Sequence, residues 1–418
     1  MKRGPIRILF FTVVVLILIA ADLETIMAAD NQLITSVALI HEYNDNIRLN
    51  VNNELADNIT TVAPKLKLVR HSERYTVSAD GKLEFYRFQD YDELDDMDQW
   101  YNGSLEAMPT ERWQLGADAH ASDDNRPDRD LETTGLILNN IQRRRINAGA
   151  SANYTISELM ASGVSLTFNR ENFDDSQTSD REDYHAALSM TRSLDAWLAR
   201  TSGQLHLSYS HYEFERDYYK PSTLSRYIDD YELDNFSLTV GALSAITERL
   251  DLTVDLGGRY AVSERYLEVL PTYLPAPSIT NEDYDSYGFV GSIDFSYRGE
   301  RFRSDLLLSH DLQPVSGENN AVNRTTVRAG GRLRLLERLS ANCYVRWYRN
   351  ENDEDDTSQS YVDTQTWNFG GGLRWVINNN FDLAASYVYT FLDDRDDDTS
   401  AYRNKAMLTL EAHHDWLE

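Results

Sequence analysis

From Leu33 onward, apolar residues recur at every second position in runs of ten or more residues, separated by polar turns. Leu250–Val262 is representative. Leu250, Leu252, Val254, Leu256, Gly258, Tyr260 and Val262 share one face, and Asp251, Thr253, Asp255, Gly257, Arg259 and Ala261 share the other. Comparable faces run over 236–242, 287–297, 327–335, 339–347, 367–375 and 381–391. Together the seven faces hold 38 positions without one Asp, Glu, Lys or Arg, where the chain-wide 26% would place about ten. A period of two predicts β-strands. One face is dry and uncharged; the other is wet.

Strands are predicted near 34–44, 58–70, 74–88, 99–108, 112–121, 144–156, 161–170, 183–192, 201–214, 231–243, 249–262, 284–297, 301–312, 323–336, 339–349, 361–377, 381–392 and 402–416. That makes 18, with 16 as the alternative count. Alternation also occurs in soluble sandwiches, so three further features decide the class. Runs of ten or more residues suit a tilted membrane crossing, whereas strands of globular sheets average about five or six. Tight turns such as Arg298-Gly299-Glu300 and Asn378-Asn379-Asn380 alternate with long connections near Ser122–Gln142, Ser263–Asp283 and Asn350–Ser360. Aromatics gather toward strand ends (Trp100, Tyr101, Trp113, Trp347, Trp367, Trp375, Phe381, Phe391), as interfacial girdles require. The predicted fold is all-β, a transmembrane antiparallel up-and-down barrel. In lipid every backbone group must be paired, so the sheet must close.

Composition narrows the picture. The 418 residues carry a net charge of −28, which excludes nonspecific nucleic-acid binding. No internal run approaches 18 apolar residues, so no helical span is expected. One cysteine, Cys343, excludes an intramolecular disulfide and multi-cysteine metal sites. Residues 1–29 read as a signal peptide: Lys2, Arg3 and Arg7, then the apolar run Ile8–Ala21, then small residues through Ala28-Ala29. The barrel is assigned to 30–418, in the bacterial outer membrane. In its last strand Tyr402, Leu408, Leu410 and Trp416 share a face, forming a candidate signal for the barrel-assembly machinery.

The opening strand reads His41-Glu42-Tyr43-Asn44-Asp45-Asn46-Ile47 and is followed by Pro64-Lys65-Leu66-Lys67-Leu68. This pairing resembles the beta-barrel porin 2 family of bacterial outer-membrane proteins. The match in wording covers the first 60 or so residues after the leader; the remainder agrees in architecture alone. The resemblance implies a link with exopolysaccharide production and export, and carries over no catalytic residue. Physically, Asn44, Asp45 and Asn46 are turn formers at the outer end of the first strand.

Arginines concentrate on one predicted wall of the lumen: Arg303, Arg328, Arg332, Arg334, Arg346 and Arg374. Lys65 and Lys67 are candidates for the inner face as well, and Asp251, Asp255 and Asp294 form an acidic wall. Opposed walls would orient polar solutes and favour anions along the arginine side; a network of structural ion pairs is the competing reading. Within Ser263–Asp283, the residues Leu270, Pro271, Tyr273, Leu274, Pro275 and Pro277 supply apolar bulk and stiffness, making this a candidate constriction loop. Acidic stretches at Asp92–Asp98, Asn352–Asp356 and Asp393–Asp398 lack EF-hand spacing and read as solvated loops. His206-x-Ser208 and Ser309-His310 are the nearest approaches to a hydrolase constellation. With no G-x-S-x-G and no H-E-x-x-H, neither catalysis nor a cofactor or metal is expected.

The sequence thus predicts an outer-membrane channel with a charged lumen. Export of an extracellular polysaccharide is its leading role, and general diffusion of small hydrophilic solutes the alternative. A non-conducting surface scaffold or adhesin is a third class. Expected partners are outer-membrane lipid and lipopolysaccharide, the assembly machinery and polysaccharide-export components.

Overall fold

A computed structural model describes residues 30–126, 131, 134, 141–271, 277–352 and 362–417. The leader assigned to 1–29 lies outside the described residues. The strands are β1 (Asp30–Asn44), β2 (Asp57–His71), β3 (Tyr75–Phe88), β4 (Asp96–Thr110), β5 (Trp113–Asp124), β6 (Arg143–Ser157), β7 (Met160–Phe173), β8 (Asp180–Ser193) and β9 (Thr201–Lys220). They continue with β10 (Ser225–Thr247), β11 (Leu250–Pro271), β12 (Ser278–Arg298), β13 (Phe302–Pro314), β14 (Ala321–Leu336), β15 (Leu339–Asn352), β16 (Asp363–Asn378), β17 (Phe381–Asp394) and β18 (Thr399–Asp415). Each pairs antiparallel with the next. The ring closes where β18 meets β1, from Ile34↔Asp415 to Asn44↔Lys405. The protein is therefore an 18-stranded up-and-down barrel, and through the apolar band its ladders pair each strand on both sides.

Connections after even-numbered strands are two or three residues long, except 194–200, and lie at what we call the inner end. The outer end carries most of the longer connections. Between the ends, the outward face is apolar and unusually exposed for such residues: Val240 is 63% exposed, Phe289 53% and Leu408 52%. Aromatic pairs rim this band at both heights. Trp113–Tyr154 and Tyr297–Phe302 mark the inner rim; Tyr209–Phe236, Tyr260–Tyr287 and Trp347–Trp367 mark the outer. From Tyr297 to Tyr287 along β12 is roughly 33 Å, which a tilt of about 40° reduces to about 25 Å, the height of a membrane barrel's apolar band. One predicted girdle residue is misplaced: Trp100 faces inward, paired with Lys82 and with that ammonium 5.2 Å from its ring centroid.

Above the outer rim, β9–β12 run on for about ten residues as a ribbon, and the polarity of their faces inverts. On β10, Phe236, Leu238 and Val240 face outward within the band, but higher up the outward positions are Asp234, Glu232 and Asp230, and the apolar Leu233 and Tyr231 turn inward. One outward row, Glu182, Glu213, Glu232, Glu264 and Asp283, sets carboxylates directly opposite one another across β8–β12. A good part of the net negative charge therefore sits outside the barrel, above the apolar band.

Candidate functional site

The ribbon's inward apolar face is covered from within. Pairing between β12 and β13 stops at Gly291↔His310, and above that point the β13–β14 hairpin leaves the barrel wall. Its Leu312 and Ala321 pack on Phe214, Tyr231, Leu233 and Ala261 of the ribbon, forming the main buried apolar cluster. The hairpin tip then crosses the lumen. Ser316 Oγ donates to Glu171 Oε2 at 2.9 Å, the Ser179 amide donates to the Gly317 carbonyl at 3.0 Å, and Asn319 Nδ2 donates to the Asp229 carbonyl at 3.1 Å. Gly317 has φ 79°, a left-handed conformation that glycine enters without a Cβ clash.

Glu171 is fully buried and shared by three guanidinium groups: Arg143 at 3.4 Å, Arg181 at 3.3 Å, and Arg145. Arg143 also reaches Asp124 at 3.3 Å. Such a site is stable only because every charge has a partner. Leu131, between β5 and β6, is completely buried beside Leu49 and Ala401. The Leu131 carbonyl accepts from Asn368 Nδ2 at 3.3 Å and the Thr134 carbonyl from Asn350 Nδ2 at 3.0 Å, both on the far wall. Contacts therefore cross the outer half of the lumen at the hairpin tip and at Leu131 and Thr134.

The stretch Ser263–Asp283, predicted as a constriction loop, is largely strand among the described residues. Residues 263–271 and 278–283 are strand, so Leu270 and Pro271 finish β11 opposite Arg226 and Ser225 at the ribbon tip, and Pro277 is exposed. Tyr273, Leu274 and Pro275 lie outside the described residues. Leu270 and Pro271, two of the residues that suggested a constriction, belong to this ribbon. The residues that reach into the lumen are Leu312–Ala321, Leu131 and Thr134, which periodicity did not single out. Their signal was the inverted polarity of β10 and β11, which reads as a strand end when lipid is the only apolar environment considered.

Arg303, Arg328, Arg332, Arg334, Arg346 and Arg374 all lie on the inward side of β13–β16. They divide by height. Arg328 and Arg346 stack over Tyr348 and Tyr344 at 5.4 and 4.4 Å from the ring centroids, while the other four sit near the inner mouth. Asp251, Asp255 and Asp294 also face inward, but on β11 and β12, next to the basic strands. The acidic wall therefore adjoins the basic one, and Arg298 stands 3.9 Å from Asp251. Lys65 faces inward and pairs with Asp80 at 3.5 Å. His206 lies 3.9 Å from Asp255, and Ser208 hydrogen-bonds Ser237 at 2.6 Å, so the two contact separate partners.

The Asn44-Asp45-Asn46 turn closes the seam of the ring. Asn46 Nδ2 donates to the Tyr402 carbonyl at 3.1 Å, and Asp45 accepts from the Asn404 amide and side chain, each at 2.6 Å. On the outer surface of β18, Tyr402, Leu408, Leu410 and Trp416 are all exposed, and Trp416 Nε1 donates to Thr35 Oγ1 at 2.9 Å.

No family model and no curated protein matches the sequence. Among solved structures, the closed form of the ferric-catecholate import receptor Fiu from E. coli K12 is similar at 9% identity and TM-score 0.50, with 92% of this chain and 82% of that chain covered. The ferric yersiniabactin uptake receptor FyuA from Yersinia pestis (9% identity, TM-score 0.46) is matched over 91% of this chain but only 66% of its own length. The outer-membrane channel DcaP of Acinetobacter baumannii (13%, TM-score 0.42) is matched over 94% of this chain and all of that one. The likeness to Fiu is one of fold. The resemblance to the beta-barrel porin 2 family rests on the residues of the first two strands alone.

Proposed function

We propose that this protein is a bacterial outer-membrane channel that passes hydrophilic solutes through a charged lumen narrowed at its outer mouth. The observation that carries the reading is the contrast between a dry outward band about 25 Å tall and a polar inner wall in a ring wide enough to hold water. Under this reading the short turns face the periplasm and the acidic ribbon stands outside the cell, above the lipopolysaccharide. The work is transport, not catalysis. Partners are the surrounding lipid, the assembly machinery and, for export, an inner apparatus.

Export of an extracellular polysaccharide is the finer form of this function, supported by the resemblance of the opening strands. Diffusion of small hydrophilic solutes is the second reading, favoured by the docked β13–β14 hairpin, which a polymer would have to displace. Reconstitution of refolded protein in planar bilayers tests both. Conductance is expected, and a protein that never conducts is a scaffold. Uronic-acid oligosaccharides that block the current from the periplasmic side would favour export; uninterrupted current would favour small solutes.

A further inference from the structure

Arginines crowd one side of the inner mouth, with Asp305 on the same face two residues from Arg303. Arg298, Arg303 and Arg332 occupy one rung, each directly opposite the next across β12, β13 and β14. Two residues along β14, Arg334 faces Ser340, which in turn faces Arg374. Directly opposed like charges repel across a sheet, where Cβ atoms are about 5 Å apart. Asp251 offsets Arg298 at 3.9 Å and Asp382 offsets Arg374 at 2.5 Å. Arg332 has only a long bond to Ser340 Oγ, at 3.4 Å. Arg303 and Arg334 have no side-chain partner among the described residues.

Arg303, Arg332, Arg334 and Arg374 line a cavity of about 420 Å³, to which the turns add Arg301 and Arg338. That volume lies within the range of small-molecule sites, about 300–1,000 Å³. Two carboxylates, Glu300 and Glu337, also line it, and Glu300 is engaged by Arg249 at 3.4 Å.

We infer that this cavity is a binding site for a small polyvalent anion, a di- or tricarboxylate or a phosphate, held by the forks of Arg303, Arg332 and Arg334 at the inner end of the lumen. Planar guanidinium groups pair bidentately with carboxylate and phosphate, and an anion shared among three of them removes the repulsion that the bare rung carries. The site deepens the channel reading and rests on it only for the ligand's route; binding itself can be measured without conduction.

The test is calorimetric titration of the full-length protein in detergent micelles with citrate. Saturable binding that weakens with added salt is expected. The double variant Arg303→Gln/Arg334→Gln should lose affinity by about ten-fold or more, while Arg144→Gln, at the outer rim, should bind as the parent does. If the double variant does not give a heat-modifiable barrel, Arg334→Lys keeps the charge and removes the fork, and should still weaken citrate several-fold. No saturable binding by the parent would overturn the site. So would undiminished affinity in a folded Arg303→Gln/Arg334→Gln or Arg334→Lys protein. Citrate binding without any conductance would leave the anion site standing and remove the channel.

Discussion

Ser316 bonds Glu171 across the lumen, tying the tip of one hairpin to a strand seven places round the ring. The bond closes a network in which Glu171 is the common anion of Arg143, Arg145 and Arg181. Ser316→Ala should remove one charge-assisted hydrogen bond, worth about 1.5–3 kcal/mol, free the tip and raise single-channel conductance with the barrel intact. Glu171→Gln should do more. Three guanidinium groups, the Arg143 one buried, would lose their shared partner at a cost of up to about 3–5 kcal/mol, lowering the temperature at which the folded band disappears on a gel. Equal thermal behaviour in the two variants would show that Glu171 is not the centre of the network.

The hairpin is held down by packing as well as by its tip. Leu312 is 3% exposed against Phe214, Tyr231 and Leu233. Leu312→Ala should weaken docking by about 2–5 kcal/mol, enlarge the conductance and expose residues 315–320 to protease. Unchanged current with ready cleavage would mean that the hairpin moves without controlling the pore.

Why this element escaped the sequence is a matter of solvent. Alternation reports which face is dry, not what dries it. Through the lipid band one rule holds: Phe236, Leu238, Val240 and their neighbours face hydrocarbon, and both the strand count and the inward arginines follow from it. Above the band the ribbon meets water outside and a hairpin inside, so Tyr231 and Leu233 occupy positions the lower pattern reserves for polar groups. Read locally, the change of parity ends the strand near Tyr231, whereas β10 begins at Ser225. Contacts such as Ser316–Glu171 join residues 145 positions apart and leave no periodic trace.

Docking should also depend on pH through two carboxyls beyond the lipid band. Burial pushes Asp229 up, but Arg265 at 2.9 Å and Arg216 at 2.8 Å outweigh it and hold the group below its ordinary range. With its folded pKa depressed, the stabilisation is present above the unfolded value, about 3.9, and is lost as pH falls through the folded one. Glu318, at the hairpin tip, behaves oppositely. Burial raises it, with Arg216 offsetting only in part, so its contribution is complete below about 4.3 and is lost as pH rises through the raised value. Conductance should therefore be lowest near about pH 4 and climb on either side. Glu318→Gln should flatten the upper limb and Asp229→Asn the lower; a parent-like profile in both would exclude these groups.

The seam between β1 and β18 supplies the last prediction. Asn46 is fully buried; its side chain donates to the carbonyls of Asn50 at 2.9 Å and Tyr402 at 3.1 Å and accepts from the Asn50 amide at 2.9 Å. Removing it takes the side-chain partner from three part-buried backbone groups, each costing up to about 1–3 kcal/mol where water does not replace it. Asn46→Ala should therefore open the ring first at its outer end. The expected readouts are faster hydrogen exchange at Asn404 and Lys405 than at Leu408 and Leu410, and a lower temperature for loss of the folded gel band. Asn46→Asp keeps the acceptor for the Asn50 amide but loses the two donations, so it should fall between Asn46→Ala and the parent. A uniform rise in exchange along β18 would place the weak point elsewhere in the ring.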